Sequence, residues 1–101
     1  MSNIWYILVD GIPVKSTLES YSAMKEKDRR IRITQINKEI RVSTVFLGIN
    51  HNHGEGDPIL FETMVFGGEY DEYMRRYVHY KEALLGHRLI VKALKKKYGS
   101  L

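Results

Sequence analysis

The stretch over residues 41–68, RVSTVFLGINHNHGEGDPILFETMVFGG, limits the fold more than any other part of the chain. Two runs rich in β-branched and aromatic residues flank a polar loop that carries glycines, the pattern of two strands and their connection. The first strand of the pair is expected over residues 39–49. It loses alternation after Thr44, where Val45, Phe46 and Leu47 are apolar in succession, and this implies a central strand covered on both faces by helices or by another subunit. The second, residues 59–66, puts Ile59, Phe61, Thr63 and Val65 on one face and Leu60, Glu62, Met64 and Phe66 on the other. Phe46 and Phe66 read as core, and Glu62 as an acid paired with Arg41 or Arg75 or as an acceptor for a ligand's base.

The rest of the chain is arranged around this pair. Residues 3–9 read as a first strand ended by the turn signal Asp10-Gly11. Ser16 and Glu19 have capping-box spacing and open a helix over residues 17–27, with Leu18, Tyr21 and Met24 on one face. Residues 31–36 alternate as a half-buried strand, and Asn37-Lys38 reads as a two-residue hairpin turn. A short strand over residues 74–78 and a helix over residues 80–97 complete the chain. In that helix Ala83, Leu84, His87, Val91 and Leu94 face inwards, widened by Leu85, Ile90 and Ala93, and Gly86 marks a close approach to the backbone. The fold class is therefore α+β: one small domain over residues 1–101, with a four- or five-stranded, largely antiparallel sheet and two helices.

Composition narrows the chemistry. Without cysteine there is no disulfide framework and no thiolate metal site. No apolar run approaches the roughly 18 to 20 residues of a spanning helix, and the first residues carry no basic leader, so a soluble, cytoplasmic protein with no membrane partner is expected. The net charge of +4 is localised: residues 88–101 hold five cations and no acid, which leaves −1 for the remainder. Lysines gathered at a helix C-terminus meet the negative pole of its dipole; the alternative is an anion-binding surface, and long nucleic acid is not expected as a partner.

Two clusters could carry function. The loop over residues 50–58 holds His51, Asn52, His53, Glu55 and Asp57. It can be read as a metal site, as an anion nest built on the Gly54 and Gly56 amides, or as a plain connection. Tyr73, Arg75, Arg76 and Tyr77 form the second cluster. A strand sends the two arginines to opposite faces, so one of them can line a pocket with tyrosines, where a guanidinium grips phosphate and a ring stacks on a base. Arg29-Arg30, just ahead of a strand, is a weaker candidate of the same kind and reads chiefly as surface. There is no nucleophile elbow, Walker loop or dinucleotide fingerprint. A phosphodiesterase using His51 and His53 as acid and base is the remaining enzymatic alternative.

Val42-Ser43-Thr44-Val45-Phe46-Leu47-Gly48, His51-Asn52, residues 60–68, Arg76-Tyr77, Glu82-Ala83-Leu84 and Gly86-His87 together resemble a widespread group of small bacteriophage proteins, over roughly residues 28–90. That group is similar to the first family of phage Thoeris anti-defence proteins, which sequester signalling nucleotides without cleaving them. The resemblance implies a non-enzymatic sponge in the infected bacterial cytoplasm, with no cofactor and no bound metal. Its partners would be cyclic ADP-ribose isomers or cyclic oligonucleotides, and it would assemble as a dimer or hexamer. Carried onto this sequence, it puts ligand contacts at Phe46, His51, Asn52, Arg75 and Arg76, with Glu62 and Tyr77 beside them. Asn50 and Val78-His79 depart from its pattern, which has Asp and Ser-Thr there. The alternative function is a protein-binding inhibitor of a host enzyme.

Overall fold

Four strands in a row, β3 (Arg30–Gln35), β4 (Arg41–Phe46), β5 (Phe61–Phe66) and β6 (Met74–Tyr77), make an antiparallel sheet in chain order. The computed structural model describes residues 4–99. Before the sheet come a hairpin of β1 (Tyr6–Val9) and β2 (Ile12–Lys15) and two short helices, α1 (Leu18–Ala23) and α2 (Glu26–Arg29). A long helix, α3 (Tyr80–Tyr98), follows it. The α+β class with an antiparallel sheet holds: the described residues form a four-stranded sheet and a separate two-stranded one, with three helices in place of the expected two.

The sheet is sided. In β4 the buried residues are Val42, Thr44 and Phe46, and in β5 they are Phe61, Thr63 and Val65, so alternation persists to the end of both strands. This face lies under α3, whose Ala83, Gly86, His87 and Leu94 are buried. A chain of polar groups crosses the interface: Thr34 Oγ1 is 2.8 Å from His87 Nε2, and Thr44 Oγ1 is 2.7 Å from Nδ1. Thr44 Oγ1 is also 2.6 Å from Thr63 Oγ1, which accepts from the Tyr77 hydroxyl at 3.1 Å. The Tyr77 ring lies against Gly86, where a Cβ would overlap it, and this is the close approach that the glycine implied.

No helix of the described residues packs across the opposite face, so of the two covers that Val45–Leu47 implied, helices do not supply one there. That face presents Ile33, Arg41, Ser43, Val45, Glu62, Met64, Phe66 and Arg76. Phe66 therefore stands 37% exposed on this face and is no part of the core.

Several boundaries differ from the sequence reading, each for a local reason. Asp10 and Gly11 both take positive φ, and Val9 pairs with Ile12. That two-residue turn folds β1 back on an unforeseen β2, in which Pro13 lies on a two-stranded ribbon with no second neighbour. Asn3, the expected start of β1, lies outside the described residues. Thr17, not Ser16, caps α1, accepting from the Ser20 amide at 3.2 Å. The helix expected over residues 17–27 breaks at Met24 and Lys25, both extended, and leaves Leu18 exposed. Between β3 and β4 the Ile36 amide donates to the Ile40 carbonyl at 2.8 Å, closing a three-residue turn over 37–39 in which the Asn37 side chain accepts from the Glu39 and Ile40 amides, so Lys38 needs no positive φ. On α3, Leu85 and Ala93 face solvent, and Gly86 takes a place on the buried stripe.

Candidate functional site

The open face of the sheet deepens into a cleft where α1 and α2 rise beside β3 and β4. It has a volume of about 530 Å³, and Tyr21, Arg29, Arg30, Arg41, His51 and Phe66 are among its walls. The chain geometry that gathers them is simple. β4 runs outward as Arg41, Ser43, Val45 on alternate positions, α2 delivers Arg29 and Arg30 directly into β3, and Gly48, with φ 75°, turns the chain under Tyr21. A Cβ at Gly48 would overlap that ring, so the tyrosine seats directly on backbone.

Two of the cleft's arginines are held by rings. The Arg29 guanidinium lies 4.3 Å from the Tyr21 ring centroid and donates to the Tyr21 hydroxyl at 3.1 Å and to its carbonyl at 2.9 Å. Tyr21 in turn packs on Trp5, with ring centroids 5.0 Å apart. The Arg41 guanidinium lies 4.9 Å from the Phe66 centroid. Neither forms an ion pair among the described residues, so each keeps its full charge and unused N–H donors for an incoming group. Arg30 sits 3.7 Å from Glu26, the one carboxylate that the described residues bring to the cleft wall, which is 92% exposed and holds it weakly.

His51 marks the end of the cleft towards β5 and β6. Burial pushes its pKa below the usual imidazole value, Arg76 and His53 add to the shift, and Glu62 opposes it. The neutral ring donates through one nitrogen and accepts through the other. Beyond it, Arg76 Nε donates to Glu62 Oε2 at 3.0 Å on the open face, so the partner of Glu62 is Arg76 and neither Arg41 nor Arg75.

The expected site residues thus separate. His51, Glu62 and Arg76 meet on the open face. Arg75, opposite Thr63 in the sheet register, is on the α3 side, 5.5 Å over the Tyr77 ring. Phe46 borders the cleft but is 1% exposed and packs on Phe61 in the core, and Tyr77 is buried with its hydroxyl committed to Thr63. Asn52 organises its own loop: its Oδ1 accepts from the Gly54 amide at 3.0 Å, and its Nδ2 donates to the carbonyls of Glu55 and Asp57. The Gly54 amide is therefore spent within the loop and does not serve an anion nest. His53 lines a different hollow, beside Lys15 and Asn52, so the two loop histidines do not converge. Among the described residues no three His, Asp or Glu side chains are grouped to hold a metal ion.

Sequence reasoning passed over Tyr21, Arg29, Arg41 and Phe66. The signal for Arg41 was present, since the period of two that buries Val42 and Thr44 must turn Arg41 and Ser43 the other way. Nothing local announces that Tyr21 and Arg29 return to meet that face, because the meeting depends on the break between α1 and α2.

No protein-family model, no curated protein and no solved structure matches the chain. No helix among the described residues is long and apolar enough to cross a membrane.

Proposed function

We propose that this chain is a non-catalytic binder of a phosphate-bearing cyclic nucleotide, which it sequesters in the cleft on the open face of the sheet. The observation that carries this reading is the pair of arginines, Arg29 on Tyr21 and Arg41 on Phe66, facing one hollow without carboxylate partners. Guanidinium groups already fixed on rings lose little freedom when they fork onto phosphate oxygens, and the ring faces offer stacking for a base. A volume of about 530 Å³ suits a small ligand and not a polymer.

The resemblance of the strand-loop-strand segment to phage anti-defence proteins supplies the ligand class: cyclic ADP-ribose isomers or cyclic oligonucleotides, held intact in the cytoplasm of an infected bacterium. It also supplies the assembly, a dimer or hexamer. Exposed Ile33, Phe66 and Met74 on the open face give a second copy apolar surface to cover.

Isothermal titration with cyclic ADP-ribose isomers and with cyclic di- and trinucleotides tests the reading, followed by heat denaturation and chromatography of what is released. Binding with recovery of the unaltered nucleotide is the expected result. Absence of binding to every one of these ligands overturns it, and recovery of a cleaved ligand replaces it with the phosphodiesterase.

A further inference from the structure

We infer that the outer face of α3 is an adsorption surface for an anionic bilayer. Lys81, Leu85, Arg88, Leu89, Lys92 and Lys96 recur at intervals of three and four, share the helix face turned away from the sheet, and are all exposed. They extend over about 22 Å at the rise of an α-helix. Arg32 of β3 borders the same surface, sharing a shallow hollow with Lys81, Leu85 and Arg88. None of these five cations forms an ion pair among the described residues. Glu82, next to Lys81 in the chain, is turned back to accept from the His79 amide at 3.1 Å.

Dipole complementarity does not account for this arrangement. It concerns the last turn, where Lys97 is already engaged by Glu69 and Tyr70, whereas Lys81, Arg88 and Lys92 lie far back along the helix. Nor does the packing of α3, which uses the other side. What remains is a basic ridge with two leucines at its crest, 47% and 50% exposed.

Charge and shape together select the occupant. A phosphate backbone would take the cations but has no use for the leucines. A protein partner would favour arginine over lysine in its contact, and three of the four cations that α3 puts on this face are lysines. A bilayer surface uses both features: lysine ammonium groups reach lipid phosphates while the leucines enter the acyl boundary. A convex ridge needs no complementary groove in a deformable surface. The expectation of no membrane partner rested on the lack of a spanning run and of a basic leader, and surface adsorption requires neither.

Co-sedimentation of the full chain with phosphatidylcholine vesicles, with and without phosphatidylglycerol, tests this. The protein is expected to sediment with the anionic vesicles, to stay in solution with pure phosphatidylcholine, and to be released by salt. Replacing both leucines (Leu85→Ser with Leu89→Ser) should weaken the partition by roughly tenfold or more at unchanged charge. Lys92→Gln with Lys96→Gln should weaken it by about fivefold for each charge removed. A thermal melt confirms that each variant is folded, and the lysine pair, wholly on the surface, decides the matter if the leucine pair is not. No sedimentation with anionic vesicles, equal sedimentation with both lipids, or full retention by the leucine variant overturns the proposal. Capture by duplex DNA irrespective of the leucines, without vesicle binding, reassigns the face to a phosphate backbone.

Discussion

Thr44 Oγ1 and His87 Nδ1 lie 2.7 Å apart, joining the middle of the sheet to α3 where both residues are 1% exposed or less. The order that gives every fully buried hydroxyl proton an acceptor runs from Tyr77 to Thr63 to Thr44 to Nδ1, which leaves Nε2–H to donate to the half-buried Thr34. In that order His87 is neutral and carries its proton on Nε2. Thr44→Val keeps the shape but strips Nδ1 and Thr63 of their partner, and should cost roughly 1 to 3 kcal/mol. Urea titration checks this, with the midpoint falling and the slope unchanged.

The same buried ring fixes a pH dependence. Burial holds the His87 pKa below its ordinary 6.5, and the Arg32 charge adds to the shift. The unfolded chain binds the proton first as the solution is acidified, so stability is full above about pH 6.5. It declines below that value and levels off once pH passes the native pKa. His51 is shifted in the same direction and adds a smaller slope of the same sign, being less enclosed. Denaturant midpoints measured from pH 8 down to pH 5 should show most of this decline vanish in His87→Gln, which retains a donor and an acceptor, and only a little of it vanish in His51→Gln.

Gly86 carries a third expectation. Alanine in the middle of a helix ordinarily adds about 1 kcal/mol over glycine, yet here the new methyl would enter the Tyr77 ring and hydroxyl. Gly86→Ala should therefore destabilise, by roughly 1 to 3 kcal/mol, as overpacking does. In a Tyr77→Ala background the same change should be neutral or stabilising. A double-mutant cycle by thermal or urea unfolding measures that reversal of sign.

How much of this was legible follows from the range of the interactions involved. The sidedness of β5, the opposed directions of Arg75 and Arg76, the extent of α3 and the meaning of Gly86 all rest on a periodicity of two or 3.6, or on one missing side chain. The sequence displays these directly. Phe66 was misplaced because an aromatic residue in an apolar strand usually finds cover, and no helix of the described residues packs across its face. The cleft was hidden for a different reason. Tyr21, Arg29 and Arg41 are brought together by a helix break at Met24-Lys25 and by the turn at Gly48, and neither event leaves a periodic trace. The β1–β2 hairpin lay between these cases: Asp10-Gly11 spelled the turn, but a strand containing Pro13 reads as no strand until its pairing is known.

The cleft reading makes the most discriminating demand on the arginines. If Arg29 and Arg41 grip phosphate, alanine at either should weaken nucleotide binding by about 10- to 100-fold, the scale of a lost charge-assisted hydrogen bond. Arg75→Ala, on the other side of the sheet, should leave it nearly unchanged. Arg76→Ala falls between, since it frees Glu62 to repel the ligand from the cleft's far end. A bound anion also favours the charged form of His51, whose pKa is lowered in the free protein. Binding should then take up protons and tighten as pH falls from 7 towards 6. Titration calorimetry in two buffers of different ionisation enthalpy measures that uptake, and His51→Gln should abolish it while both cleft arginines still bind.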